Sequence, residues 1–352
     1  MAGQERVGTE AGGGSALELT GKVPFLWALV ALVLVALGGA AAFVVLGATR
    51  GPRPPFLDAG STNAAPLPRA ASAPGTLTLA GSGSNLPVTR ALVEAFRERH
   101  PEARLLVHAS IGSGGGVRAV MDGAVDVGLI SRPLTEEEGR IGLVVVPYAR
   151  TAVVVARHPG APAECLSSGE LPELYSGMRQ VWKDGSRVVV LQRERGDSSF
   201  LAASRLVPGL AESNDAAHRE GRWRVLYDDR SMQEALVTTE GAVGIFDLGA
   251  IVAQRLPIQV LCLDGVTPSA GTLASGEYPL WKDLAFVARG PLEGRAAELT
   301  GFALSAEGRE IIAGLGYLPL PIAAAGADAA PTALPVATAP IAPPPNSDGG
   351  AP

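Results

Sequence analysis

Three short turns carry the residues best suited to chemistry: Gly81-Ser82-Gly83-Ser84-Asn85, Gly112-Ser113-Gly114-Gly115-Gly116 and Gly196-Asp197-Ser198-Ser199. Each precedes a segment with helical periodicity. The first turn of a helix has unpaired N–H groups and a partial positive charge, so it attracts anions. Glycine lets the backbone approach a ligand, and Ser or Asn adds donors. One such turn is an ordinary helix cap, but three suggest a pocket for a small anion. Arg132 and Arg193 can add bidentate clamps, since a guanidinium matches an oxyanion geometrically. For Arg132, bracing the turn before Pro133 is the stronger reading. For Asp197, capping or ion pairing is favoured over accepting a ligand proton.

These turns need strands and helices to hold them, and the pattern supplies both. Strand-like runs occur at 76–80, 105–109, 126–130, 187–192, 241–247 and 257–263. Pro87 fits the first turn of a helix whose stripe is Val88, Leu92, Ala95 and Phe96, ending before Pro101. The apolar run 143–156 is long enough for a strand that passes from one lobe to another. Repeated βα units predict an α/β fold with helix-covered sheets and ligands at the carboxyl ends of the strands.

The flanks differ in kind. Residues 1–22 are polar and Gly-rich and read as disordered. From Val23 to Ala48 the chain carries no charge over 26 residues, long enough to span a bilayer. An uncleaved single-span anchor is favoured over a cleaved signal peptide, whose apolar core is shorter. Residues 49–75 hold Pro52, Pro54, Pro55, Pro66, Pro68 and Pro74 and read as a linker. Residues 323–352 are mostly Ala, Pro, Thr and Gly and predict a disordered tail. The folded unit is therefore 76–322.

Net charge is −6 across 352 residues, with cations dispersed singly, which argues against nucleic acid as a partner. Cys165 and Cys262 lack metal-ligand spacing; two separate thiols are slightly favoured, and a disulfide stays open. The four histidines show no metal pattern. No cofactor or metal site is expected.

With these residues laid out, the chain resembles the phosphate-binding, periplasmic substrate-binding protein family of ABC transporters. The strongest match runs from Ile111-Gly112-Ser113-Gly114-Gly115-Gly116-Val117 to Asp126-Val127-Gly128-Leu129-Ile130-Ser131-Arg132-Pro133-Leu134, similar to the family's GSGxG-helix-[VI]DxGxxSRPL block. Shorter stretches agree in order: Glu173–Gly177 with Trp182–Gly185, Gly241–Ile245, Ala274–Leu280, and Leu304–Gly308 with Gly316–Leu320. The resemblance covers 76–322. It implies a type II two-lobed periplasmic-binding-protein fold with two crossing strands, lobe 1 being 76–150 with 250–322 and lobe 2 being 151–249. It implies a monomer that is not an enzyme, holding phosphate or a related oxyanion in the extracytoplasmic space and delivering ligand to an ABC permease; the uncharged run 23–48 adds the expected tether to the membrane. Carried over by position, the ligand set is Ser84, Asn85, Leu86, Ser113, Gly114, Ser131, Arg132, Arg193, Asp197, Ser198 and Ser199. Two departures stand out. Ser131 occupies a position where tight phosphate binders often have a carboxylate, and Asp197 replaces a neutral residue. A membrane-anchored sensor or envelope interaction protein that keeps the fold without transport is the alternative.

Overall fold

A computed structural model describes residues 75–320. The expected anchor at 23–48, both disordered flanks and all but the last residue of the linker lie outside the described residues. Among the described residues, no helix is long and apolar enough to cross a membrane.

The strands in chain order are β1 (Thr76–Gly81), β2 (Arg104–Ser110), β3 (Val127–Ile130), β4 (Val144–Arg157), β5 (Cys165–Leu166), β6 (Val189–Arg193), β7 (Arg224–Leu226), β8 (Ala242–Asp247), β9 (Gln259–Val260), β10 (Cys262–Leu263), β11 (Trp281–Ala288) and β12 (Leu318–Pro319). Eight of them form a continuous run in the order β2-β1-β3-β11-β4-β8-β6-β7, with β9 and β12 paired to β4. At one end β1, β2 and β3 are parallel, and at the other β6 is parallel to both β7 and β8. Helices cover these parallel strands. The Leu86–Arg99 helix has Pro87 in its first turn and buries Val88, Leu92, Val93 and Phe96. Burying each such side chain contributes about 1.5–3 kcal/mol.

Two lobes follow from the packing. Leu77 through Ala149 share a core with Leu284 through Tyr317. Ala80, Val117, Val120, Ile130, Ala285 and Val287 bury the opposite face of that sheet. Ala152 through Ile251 form the second core. Ile258, Leu261, Leu263, Leu273, Tyr278 and Leu280 join this second core, so 258–280 packs with lobe 2 and not with lobe 1 as expected, while Ala253 packs on the lobe 1 core. The chain returns at residues 281–283.

The two crossing strands are therefore β4 and β11, antiparallel neighbours with Lys282 opposite Thr151 and Asp283 opposite Arg150. The Arg150 guanidinium stacks 3.4 Å from the Trp281 ring centroid and pairs with Asp283 at 2.6 Å. On the other side, Thr151 and Lys282 are buried.

Cys165 and Cys262 form a disulfide, correcting the preference for separate thiols. β5 and β10, two residues each, pair in parallel with these cysteines in register. The bridge lies within lobe 2.

Candidate functional site

A cavity of about 300 Å³ lies between the lobes, lined by Ser82, Gly83, Ser84, Ser110, Gly112 and Ser113 on one side. Arg193, Glu194, Gly196, Asp197, Ser198, Tyr227 and Asp229 line the other. Every wall segment follows a parallel strand: β1 and β2 in lobe 1, β6 and β7 in lobe 2. Ligands in open α/β sheets bind at these carboxyl ends.

Arg193 is the cation at the wall. Its Nε and Nη2 donate to both Glu194 carboxylate oxygens at 2.8 and 3.1 Å. Nη1 lies 3.3 Å from Asp197 Oδ2 and 3.4 Å from Asp229 Oδ1. Burial opposes its charge, but Asp197, Asp229 and Glu194 more than offset this and hold the guanidinium protonated above its ordinary range.

Asp197 uses both oxygens within the protein. Oδ1 accepts from Phe200 N at 2.9 Å, capping the Ser198–Ser204 helix, and Oδ2 pairs with Arg193. Burial raises its carboxyl above the usual value despite Arg193 and Lys282. Asp229 opens the Asp229–Thr238 helix, just after the cap residue Asp228. Its carboxylate crosses to lobe 1 and sits in a niche over Gly83, where any Cβ would lie 1.7 Å from Oδ2. Burial pushes this carboxyl up to about 6, against the pull of Arg193.

A layer of hydroxyls and one lysine stands behind the wall. Ser131, fully buried, reaches Ser82 Oγ at 2.6 Å and Ser198 Oγ at 2.7 Å. Its N–H donates to Ser113 Oγ at 3.1 Å. Lys282 Nζ donates to Ser84 at 2.7 Å, Ser199 at 2.6 Å and Ser198 at 3.1 Å, and pairs with Asp247 Oδ1 at 2.9 Å. The contact of Ser131 with Ser198, the seat of Asp229 over Gly83 and the bridging of Ser84 to Ser198 and Ser199 by Lys282 all require the cleft to be closed.

Of the residues predicted from sequence, Ser84, Ser113, Arg193, Asp197 and Ser198 line the cavity. Ser131 and Ser199 stand behind it. Asn85 is turned inward: Nδ2 donates to Ile130 O at 3.0 Å and Oδ1 accepts from Tyr148 Oη at 2.8 Å. The Leu86 side chain is part of the lobe 1 core. Gly114 and Arg132 border a neighbouring cavity of about 520 Å³. Arg132 is held by Glu138 at 2.7 and 2.8 Å and donates to Pro133 O, the bracing role anticipated for it.

Ser82 belongs to the first candidate turn but not to the ligand set carried over from the family, and sequence reasoning missed Ser110, Asp229, Asp247 and Lys282. The signal for Lys282 was a charged pair, Lys282-Asp283, at the head of the otherwise apolar run Trp281–Ala288. Asp229 gave none, because Asp228-Asp229 at a helix start reads as capping. Among the described residues, no cluster of His, Cys, Asp or Glu could hold a metal ion.

Residues 68–307 match the family model of the PBP superfamily domain. The phosphate-binding protein PstS of Bacillus subtilis (strain 168) is 29% identical over 255 residues, covering 70% of this chain and 82% of that protein. A Clostridium perfringens structure with bound phosphate, assigned to phosphate ABC transport as a substrate-binding protein, superposes with a TM-score of 0.62. It is 23% identical and covers 70% of this chain and 99% of its own. An ABC-type phosphate transport receptor from Vibrio cholerae gives a TM-score of 0.52 at 20% identity, covering 69% and 99%.

Proposed function

We propose, from the premise that this chain belongs to the PBP superfamily, that its interlobe cavity binds phosphate and delivers it to an ABC permease. The observation that carries this reading is the wall itself: hydroxyls from both lobes and Arg193 face one closed space. The phosphate-binding PstS relative supports the choice of anion. Binding alone, without chemistry, is what the site offers, and the domain works outside the cytoplasm, where the Cys165–Cys262 disulfide persists. The segment 23–48 serves as its membrane anchor, and the domain acts as a monomer.

Charge decides the form of the ligand. Glu194, Asp197, Asp229 and Asp247 surround the cations Arg193 and Lys282, so the empty site is already negative. At 4 Å and an effective dielectric near 20, a further unit charge against a carboxylate costs about 4 kcal/mol. A ligand proton shared with Asp229 removes that repulsion. Asp229 thereby takes the acceptor role that Ser131, buried behind the wall, does not fill and that Asp197, with both oxygens engaged, leaves vacant. Phosphate and arsenate carry such a proton near neutrality, whereas sulfate does not.

Calorimetry with phosphate, arsenate, sulfate and methylphosphonate at pH 6 and 8 tests this. Phosphate and arsenate should bind, and more tightly at pH 6. Saturation to 100 times Kd should add about 2.7 kcal/mol of stability. Sulfate binding as tightly as phosphate, or no oxyanion binding, would refute the reading.

A further inference from the structure

Lys282 lies one layer behind the cavity wall and is buried where β11 crosses between lobes. Its ammonium has three N–H bonds and faces four oxygens: Ser84, Ser198 and Ser199 Oγ, and Asp247 Oδ1. An ammonium only donates, so each serine it touches accepts there and must send its own proton elsewhere. Ser199 sends its proton to Asp247 Oδ1 at 3.0 Å. Ser84 lines the cavity, and among the described residues its hydroxyl has no other acceptor in reach. Ser198 continues to Ser131 and then to Ser82, at 2.7 and 2.6 Å, and Ser82 is again on the wall. Without a donor-only group at its root, this network could equally present lone pairs to the cavity, because a hydroxyl rotates to suit its neighbours. Polarised from one end, its members strengthen one another.

We propose that Lys282 is a positioning residue that sets the proton direction of the Ser84 and Ser198–Ser131–Ser82 hydroxyls, so that Ser84 and Ser82 present O–H donors to the cavity, the second of them relayed from Ser198 of the other lobe. The oxygens it organises come from both lobes, so the donor set is complete only when the cleft is closed. This inference rests on the anion-binding reading above.

The test is a mutational cycle on the full chain, with phosphate affinity measured by calorimetry. Lys282→Met combined with Asp247→Asn removes the ammonium and its facing charge together, leaving no unpaired buried charge. This pair should melt cooperatively with phosphate affinity lowered at least tenfold. Ser84→Ala should cost at least tenfold in the parent but less than twofold in the paired variant. Parent-like affinity in the paired variant, or an equal effect of Ser84→Ala in both backgrounds, would overturn the proposal. Should the paired variant fail to fold, Lys282→Arg and Lys282→Gln decide. Arginine, a donor only, should retain affinity within threefold, whereas glutamine, which can also accept, should lose tenfold; equal binding overturns the idea. A parent chain that binds no oxyanion overturns the anion reading itself, before any variant is made, and this inference with it.

Discussion

Replacing Asp229 with asparagine should stabilise the empty domain at pH 8 and leave it almost unchanged near pH 4. The structure holds this carboxyl at about 6, against an ordinary 3.8, because burial penalises its charged form. A carboxyl raised in the folded state binds its proton more tightly there than in the unfolded chain. Its burden on stability is therefore absent below the unfolded value, grows as pH rises from 3.8, and is complete above 6. The rise from 3.8 to about 6 corresponds to about 3 kcal/mol. The attraction of Arg193 is already inside that figure, since the upward shift is net of its pull. For a domain of roughly 150–250 residues, each kcal/mol moves Tm by about 2–4 °C, so the variant should melt about 6–12 °C above the parent at pH 8. Thermal denaturation followed by circular dichroism at pH 4, 6 and 8, without oxyanions, reads this directly. A variant that melts below its parent at pH 8, or gains as much at pH 4, would refute the reasoning.

Three further outcomes follow from the same geometry. Gly83→Ala places a methyl group where Asp229 Oδ2 now sits; calorimetry should show phosphate affinity falling at least tenfold as the carboxylate is displaced and the cleft is propped open. Arg193→Met leaves Glu194, Asp197 and Asp229 without the guanidinium that pairs them and should abolish detectable phosphate binding in the same assay. Replacing both Cys165 and Cys262 with serine releases a loop of 97 residues' separation and should cost about 2–5 kcal/mol in denaturant titration, with phosphate affinity unchanged because the bridge lies away from the cavity.

Much of this architecture is legible in the sequence where one physical signal dominates. β1, β2, β3 and β8 are short apolar runs bounded by turn residues, and β4 declares its crossing by length alone. Pro87 and the Val88–Leu92–Phe96 stripe locate the first helix. β11 is harder to read because Lys282 and Asp283 interrupt its apolar run where it leaves one core and has not entered the other. The glycine run 112–116 is also double-edged: Gly116 packs against Gly81 and Leu129, where a Cβ would lie under 3 Å from their backbones, so part of an apparent ligand loop is helix-on-sheet packing. The cysteines could not be paired from sequence, since two-residue strands β5 and β10 alone bring them into register. Asp229 and Lys282 carry long-range charge contacts that no local pattern encodes.

The described chain enters through β1 and makes its last helix at Ala306–Gly314, and both pack into the first core. Mechanically, that makes the first lobe a stator and the second a rotor, hung on the paired strands β4 and β11. A load applied at either flank is borne by the first lobe alone. Fixed to a surface from either side, the molecule holds its first lobe as the frame and leaves the second joined to it through those two strands, the geometry that the proposed capture of an anion would use.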